Sequence, residues 1–306
     1  MTLEGGHGSE GDRFLLSRIQ EGDEEAFRQL VDRFTGRLKA YALRHMGRQS
    51  PDVEDVVQEA FLGLLENLDR LESVRSLEAY LFTILRNKIV DFARRSPRAH
   101  GLTAMPLGGS GSSPGLDPPA RGTTPSHHAL AEEAGALRRK VLADILGEAL
   151  DGLKAEKNFR DLKILELLFF AGLKGKDVAA RVGTSEPTVT RTKTEAIDRF
   201  GRLARRHPQA DPSLAFFGRG EDPAGLLSEI WSENLLSCLK RSTLGGYALG
   251  VLEPEWRDYV TFHLETARCE TCAANLDDIR AGEAATRPER ERVFASSVGF
   301  LRKRKN

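Results

Sequence analysis

At 306 residues the chain has room for two domains, or for three small ones. Its 45 basic residues balance 45 acidic ones, so charge does not mark the whole chain for nucleic acid and any basic footprint is local. Three cysteines with no disulfide framework suit a reducing cytoplasm, a polar Gly-rich start excludes a signal peptide, and "ILELLFFAGL" is too short to span a membrane.

Helical periodicity recurs along the chain and no alternating strand stands out, which predicts an all-α protein. After a loose leader over residues 1–11, a helix is expected from Asp23. Its inward stripe is Phe27, Leu30, Val31, Phe34, Leu38 and Tyr41. Ser50-Pro51 reads as the start of a second helix, with Val53, Val56, Val57, Phe61, Leu64, Leu65 and Leu68 inward. Its other face carries Asp52, Glu54, Asp55, Gln58 and Glu59. Ser76 is expected to cap a third helix with Tyr80, Leu81, Ile84, Leu85 and Phe92 on one side. The opposite side bears Arg86, Lys88, Arg94 and Arg95.

From Pro97 to His128 Gly, Pro and Ser dominate and the periodicity vanishes, the composition of a linker that cannot offset its ordering entropy. A second bundle is expected from Leu130, with a stripe of Leu137, Val141, Leu142, Ile145, Leu150 and Leu153. It ends in "GKDVAARVGTSEPTVTRTKTEAIDRFGRL", which reads as a helix-turn-helix. Ala179 permits close helix contact, Gly183 suits a turn of positive φ, and Val189 plugs the second helix onto the first. Ser185 or Thr184 is the expected cap. Ser185, Glu186, Thr188, Thr190, Arg191 and Lys193 are the candidate DNA contacts, of a size to reach phosphates and base edges in a major groove.

After a connector comes a smaller helical region. Leu226, Leu227, Ile230, Trp231, Leu235 and Leu239 make one amphipathic stripe, and Trp256, Tyr259, Val260 and His263 follow the face of another helix. The ending "FLRKRKN" reads as a solvated basic tail.

The stretches "DVEDVVQEAFLGLLENLDRL" and "SLEAYLFTILRNKIVDFARR", then a spacer and a helix-turn-helix, closely resemble the RNA polymerase sigma factors of the extracytoplasmic-function (ECF) type. The resemblance implies sigma domain 2 over 10–97, a flexible linker over 98–129 and sigma domain 4 over 130–207. A connector over 208–221, a C-terminal helical extension over 222–282 and a basic tail over 283–306 complete the expected layout. It further implies that Asp52, Glu54, Asp55, Gln58 and Glu59 dock on core RNA polymerase. By the same resemblance Leu71, Arg75, Ser76, Tyr80, Arg86, Asn87, Lys88, Arg94 and Arg95 meet the promoter −10 element, including its melted strand, and the helix-turn-helix reads duplex at −35. Thr192 and Glu195 stand where the family commonly carries arginines, which puts the −35 contacts in doubt. An anti-sigma factor is a candidate partner; no membrane insertion and no catalytic residues are expected.

"FHLETARCETCAANLDDI" holds His263, Cys269 and Cys272, candidate zinc ligands that resemble the zinc-binding segment of anti-sigma domains with a wider His-to-Cys spacing. Cys238 is either a fourth ligand or a buried free cysteine, and the thiols are either metal-binding or redox-active. The superficial match to the zinc-deaminase pattern fails, because Pro is missing and no strands are predicted. The alternative function is a stand-alone helix-turn-helix regulator with a metal- or redox-sensing C-terminal segment.

Overall fold

The computed structural model describes residues 10–47, 50–68, 76–95, 125–209, 224–282 and 287–305. These residues are helical and contain no strand. In chain order the helices are α1 (Glu10–Gln20), α2 (Glu24–Met46), α3 (Val53–Glu66), α4 (Leu77–Arg95) and α5 (Pro125–Ala155). Next come α6 (Phe159–Leu165), running into a π-helical turn (Glu166–Phe170), α7 (Gly175–Val182), α8 (Glu186–Ala204) and α9 (Ala224–Glu233). The chain continues through α10 (Arg241–Ala248), α11 (Pro254–Glu265), α12 (Glu270–Ala281) and α13 (Arg287–Lys305). None of the described helices is long and apolar enough to cross a membrane.

The helices form two units. One holds α5–α9; the other joins α1–α4 to α10–α13. The expected 222–282 extension is therefore shared: α9 belongs to the first unit, while the chain from Cys238 onward belongs to the second.

In the second unit α2 starts where Asp23 accepts from the Glu25 and Ala26 N–H groups, at 2.8 and 3.2 Å. Those bonds satisfy two of the first-turn donors that a helix leaves orphaned. Phe27, Leu30, Val31, Phe34 and Leu38 are fully buried, each stabilising by about 1.5–3 kcal/mol over an exposed position. The second expected helix begins a little later than its Ser-Pro signal: Asp52 is at the cap position of α3 without a side-chain bond, and the Ser50 hydroxyl instead lies 3.5 Å from the Asp52 carboxylate. Ser76 does cap α4, accepting from the Ala79 N–H at 3.2 Å. Helix α1, in a stretch expected to be irregular at its start, docks by burying Leu16 and Ile19, and the Gln20 side chain donates to the Leu68 carbonyl at 2.8 Å.

Helices α12 and α13 return to this unit. Arg44 of α2 pairs with Glu270 and Asp277 of α12 at 2.7 and 2.9 Å. Buried Arg37 meets Glu78 of α4 at 3.2 Å, and Asn275 of α12 donates to the same carboxylate at 2.8 Å. The expected solvated tail is instead a helix packed on α2 and α3. Val293, Ser297 and Leu301 recur every four residues and are buried, with Val298 beside them, so one narrow stripe suffices to seat an otherwise charged helix.

In the first unit the stripe of α5 begins at Val141; Leu137, expected inside, is exposed. Helix α9 closes this bundle, with Trp231 stacked on Phe169 at 6.0 Å and its indole N–H donating to Ser237 at 3.0 Å. Arg139 of α5 pairs with Glu233 and Glu229 of α9 at 2.7 and 3.3 Å.

Candidate functional site

The helix-turn-helix is built by α7 and α8. Gly183 ends α7 at φ 73°, ψ 40°, and the next N–H groups turn back to the Ala179 carbonyl. Ser185 starts α8, its hydroxyl accepting from the Thr188 N–H at 3.4 Å, with Pro187 in the first turn. Ala179 and Val189 are buried against each other's helices, as close crossing requires. This packing turns Ser185, Glu186, Thr190 and Arg191 outward, with Thr188 and Lys193 half-buried beside them. Arg191 lies 3.9 Å from Glu195 on the same face. Thr192 is buried, 3.4 Å from Asp161, so the position where an arginine was looked for points into the bundle.

On α3, Asp55 is exposed and Asp52, Glu54, Gln58 and Glu59 are half-buried. Two of these carboxylates have partners within the unit: Glu59 faces Lys88 of α4 at 3.4 Å, and Glu54 takes both guanidinium arms of Arg292 from α13 at 2.8 and 3.1 Å. Along α4, Asn87, Arg94 and Arg95 are exposed, and Tyr80, Arg86 and Lys88 are half-buried. Arg95 donates to the Asp91 carbonyl at 3.2 Å. Ser76 points inward as the helix cap and offers no hydroxyl to a ligand. Leu71 and Arg75 lie outside the described residues.

The third feature is a cluster of Cys238, His263, Cys269 and Cys272 whose ligand atoms all lie within 4.8 Å of one another, all buried. The chain path explains the convergence. His263 is in the last turn of α11, and Arg268, at φ 56°, turns the chain into Cys269 at the cap of α12, with Cys272 in its first turn. Cys238, a candidate fourth ligand by sequence, is not on α9: the helix stops at Glu233 and Leu235 takes φ 50°, which brings Cys238 in non-helical chain to Cys269, Sγ to Sγ 3.4 Å. The Leu239 N–H donates to the Cys272 sulfur at 3.3 Å.

Three thiols and an imidazole fit zinc. Tetrahedral Zn–S bonds of about 2.3 Å set sulfur–sulfur edges near 3.8 Å, the scale of this cluster. The thiols already perturb one another. Cys238 and Cys272 hold Cys269 well below the usual thiol range by hydrogen bonding, and the bond to Cys269 raises Cys238. Burial pushes Cys272 up to about 11. A buried thiolate is costly unless a cation offsets it, and a bound divalent ion deprotonates such ligands outright.

One unit carries a helix-turn-helix; the other carries a helix lined with carboxylates and a helix tipped with arginines. Residues 30–99, from within α2 to past the end of α4, match Sigma-70 region 2. The chain is 38% identical over 91 residues to RNA polymerase sigma factor NccH of Alcaligenes xylosoxydans xylosoxydans, a match covering 30% of this chain and 48% of that protein. It is 34% identical over 90 residues to the ECF RNA polymerase sigma-E factor of Escherichia coli (strain K12), covering 28% and 46%. With ECF RNA polymerase sigma factor ShbA of Streptomyces griseus subsp. griseus it shares 27% identity over 197 residues, covering 63% of this chain and 94% of that protein. The matches to NccH and the sigma-E factor thus span about half of those relatives, whereas the ShbA match extends well beyond region 2. No solved structure matches the chain. Residues 30–99 are thus similar to Sigma-70 region 2, and the curated relatives that share this stretch are RNA polymerase sigma factors, several of the ECF type.

Proposed function

We propose that this chain binds core RNA polymerase and directs promoter-specific initiation, with α1–α4 as sigma domain 2 and α5–α8 as sigma domain 4. The observation that supports it most is that the region 2 match falls on the helices that carry carboxylates on α3 and cations on α4. Asp52, Glu54, Asp55, Gln58 and Glu59 dock on the polymerase, where complementary charge raises the on-rate and fixes orientation. Arg86, Lys88, Arg94 and Arg95 hold the backbone of the −10 element, and Asn87 and Tyr80 are placed to meet its unstacked bases. The exposed face of α8 reads −35 duplex, with Arg191 and Lys193 on phosphate. Reaction chemistry belongs to the polymerase, and the chain works in the cytoplasm.

Zinc, held by Cys238, His263, Cys269 and Cys272, supplies a structural cross-link between the chain entering α10, the end of α11 and the start of α12. Cys238 replaces the absent fourth ligand of the sequence motif. An anti-sigma factor is a further candidate partner, competing for the same α3 carboxylates.

The reading is tested by mixing the chain, raised to saturation, with purified core polymerase and genomic fragments, then sequencing transcript starts. Discrete starts that share −10 and −35 sequences are expected. Core enzyme that gains no promoter-specific transcription from any fragment would end the proposal.

A further inference from the structure

We infer that α13 is an intramolecular competitor of the polymerase: it lies against α2 and α3 and holds a carboxylate of α3 that polymerase docking needs, so the chain binds only when α13 lifts. This rests on the docking role proposed for α3. Arg292 engages both oxygens of Glu54, at 2.8 and 3.1 Å, so a partner's guanidinium can take the same bidentate position only by displacing it. Two more pairs fix the register of α13 along α2. Lys39 meets Glu289 at 2.6 Å near one end, and Arg302 forks Glu24 at 2.7 and 2.8 Å near the other. The pairs of Arg292 with Glu54 and Arg302 with Glu24 put cations of α13 on carboxylates of α3 and α2, while Lys39 and Arg28 of α2 meet Glu289 and Glu291 of α13 in the opposite sense.

The hold is of a strength that can be reversed. Arg292 and Glu54 are each about half exposed, at 57% and 45%, as are Arg302 and Glu24 at 63% and 41%. Pairs of that kind shift an equilibrium by at most about fivefold each. The stripe of Val293, Val298 and Leu301 adds the apolar part, and Phe294 lies 6.0 Å from Phe27 with Arg28 over its ring at 3.8 Å. Because α13 is tethered, it competes at an effective concentration in the millimolar range rather than at the concentration of the protein. The apparent affinity for polymerase then falls by the fraction of chains in which α13 is open.

The experiment titrates core polymerase with the full chain, with Arg292→Glu, and with Val293→Asp combined with Leu301→Asp, each shown to be folded by circular dichroism. Arg292→Glu is expected to bind about two- to fivefold more tightly than the parent, and the double variant more than about tenfold. A second measurement follows hydrogen exchange in the unaltered chain, where amides 293–301 should lose protection when polymerase binds. Folded variants that bind no more tightly than the parent would overturn the inference while leaving the docking role intact. So would amides of α13 that stay protected in the complex. If neither parent nor variants bind, the docking role falls and the inference falls with it.

Discussion

The two units differ in what lies over the surfaces proposed to bind partners. Among the described residues the α5–α9 unit comes from one continuous stretch, and Ser185, Glu186, Thr190 and Arg191 of α8 are exposed. In the other unit a helix that begins about 190 residues after α4 returns to lie on α2 and α3 and takes up Glu54. A surface that must search for duplex can stand open, because phosphate contacts are weak and reversible at each site. A surface proposed to grip a protein partner gains from a cover, and here a segment from far along the same chain supplies it.

The largest expected effect comes from breaking what fastens the returning segment. Cys272→Ser removes one of the four ligands proposed for zinc, so bound zinc measured by elemental mass spectrometry should fall from about one per chain to near none. The α10–α12 segment should lose at least about 4 kcal/mol, while calorimetry shows the helix-turn-helix unit melting as before. Next is damage confined to the continuous unit. Val189→Asp puts a carboxylate at a position only 2% exposed, and should cost about 3–5 kcal/mol. Two transitions are expected in the calorimeter, with only one displaced; a shift of both would break the separation of the units.

Gly183→Ala is a smaller, purely conformational test. A Cβ there meets nothing within 4 Å, but φ is 73°, so the expected cost is about 1 kcal/mol by urea melting, from backbone strain alone. The smallest effect is at Asp23, whose carboxyl is held below its ordinary value by the Ala26 N–H first, with the Glu25 N–H and Arg18 adding to it. A depressed carboxylate contributes stability above its unfolded pKa and loses it as pH falls through the folded one. The difference in urea midpoint between parent and Asp23→Ala should therefore be full at pH 7 and shrink below about pH 4. An undiminished gap at pH 2.5 would mean that the cap bonds do not depend on charge.

Much of this molecule was legible because its core stripes are dense. The apolar positions of α2 and α3 were read from spacing and are buried, and Gly183 and Ser185 announce the turn of the helix-turn-helix by chemistry that few other residues supply. The misses share a cause, which is that they depend on tertiary contact. Helix α13 carries four inward residues among many charges, so its composition reads as tail. Cys238 has helical spacing from Leu227 and Trp231, and only the backbone reversal at Leu235 takes it off that stripe. Leu137 continues a stripe by spacing yet stays exposed, whereas Ser76 caps its helix as its sequence position announced.

Chain order has one more consequence for the helix that returns. At roughly 5–20 residues per second, synthesis needs some 10–40 s to travel from the end of α4 to the start of α13. During that interval a nascent chain displays Glu54 without Arg292, and polymerase that meets it on the ribosome encounters an unlatched protein. On the proposed reading, how often the chain is captured during synthesis, before α13 arrives, then depends on how fast it is made as well as on how tightly it binds.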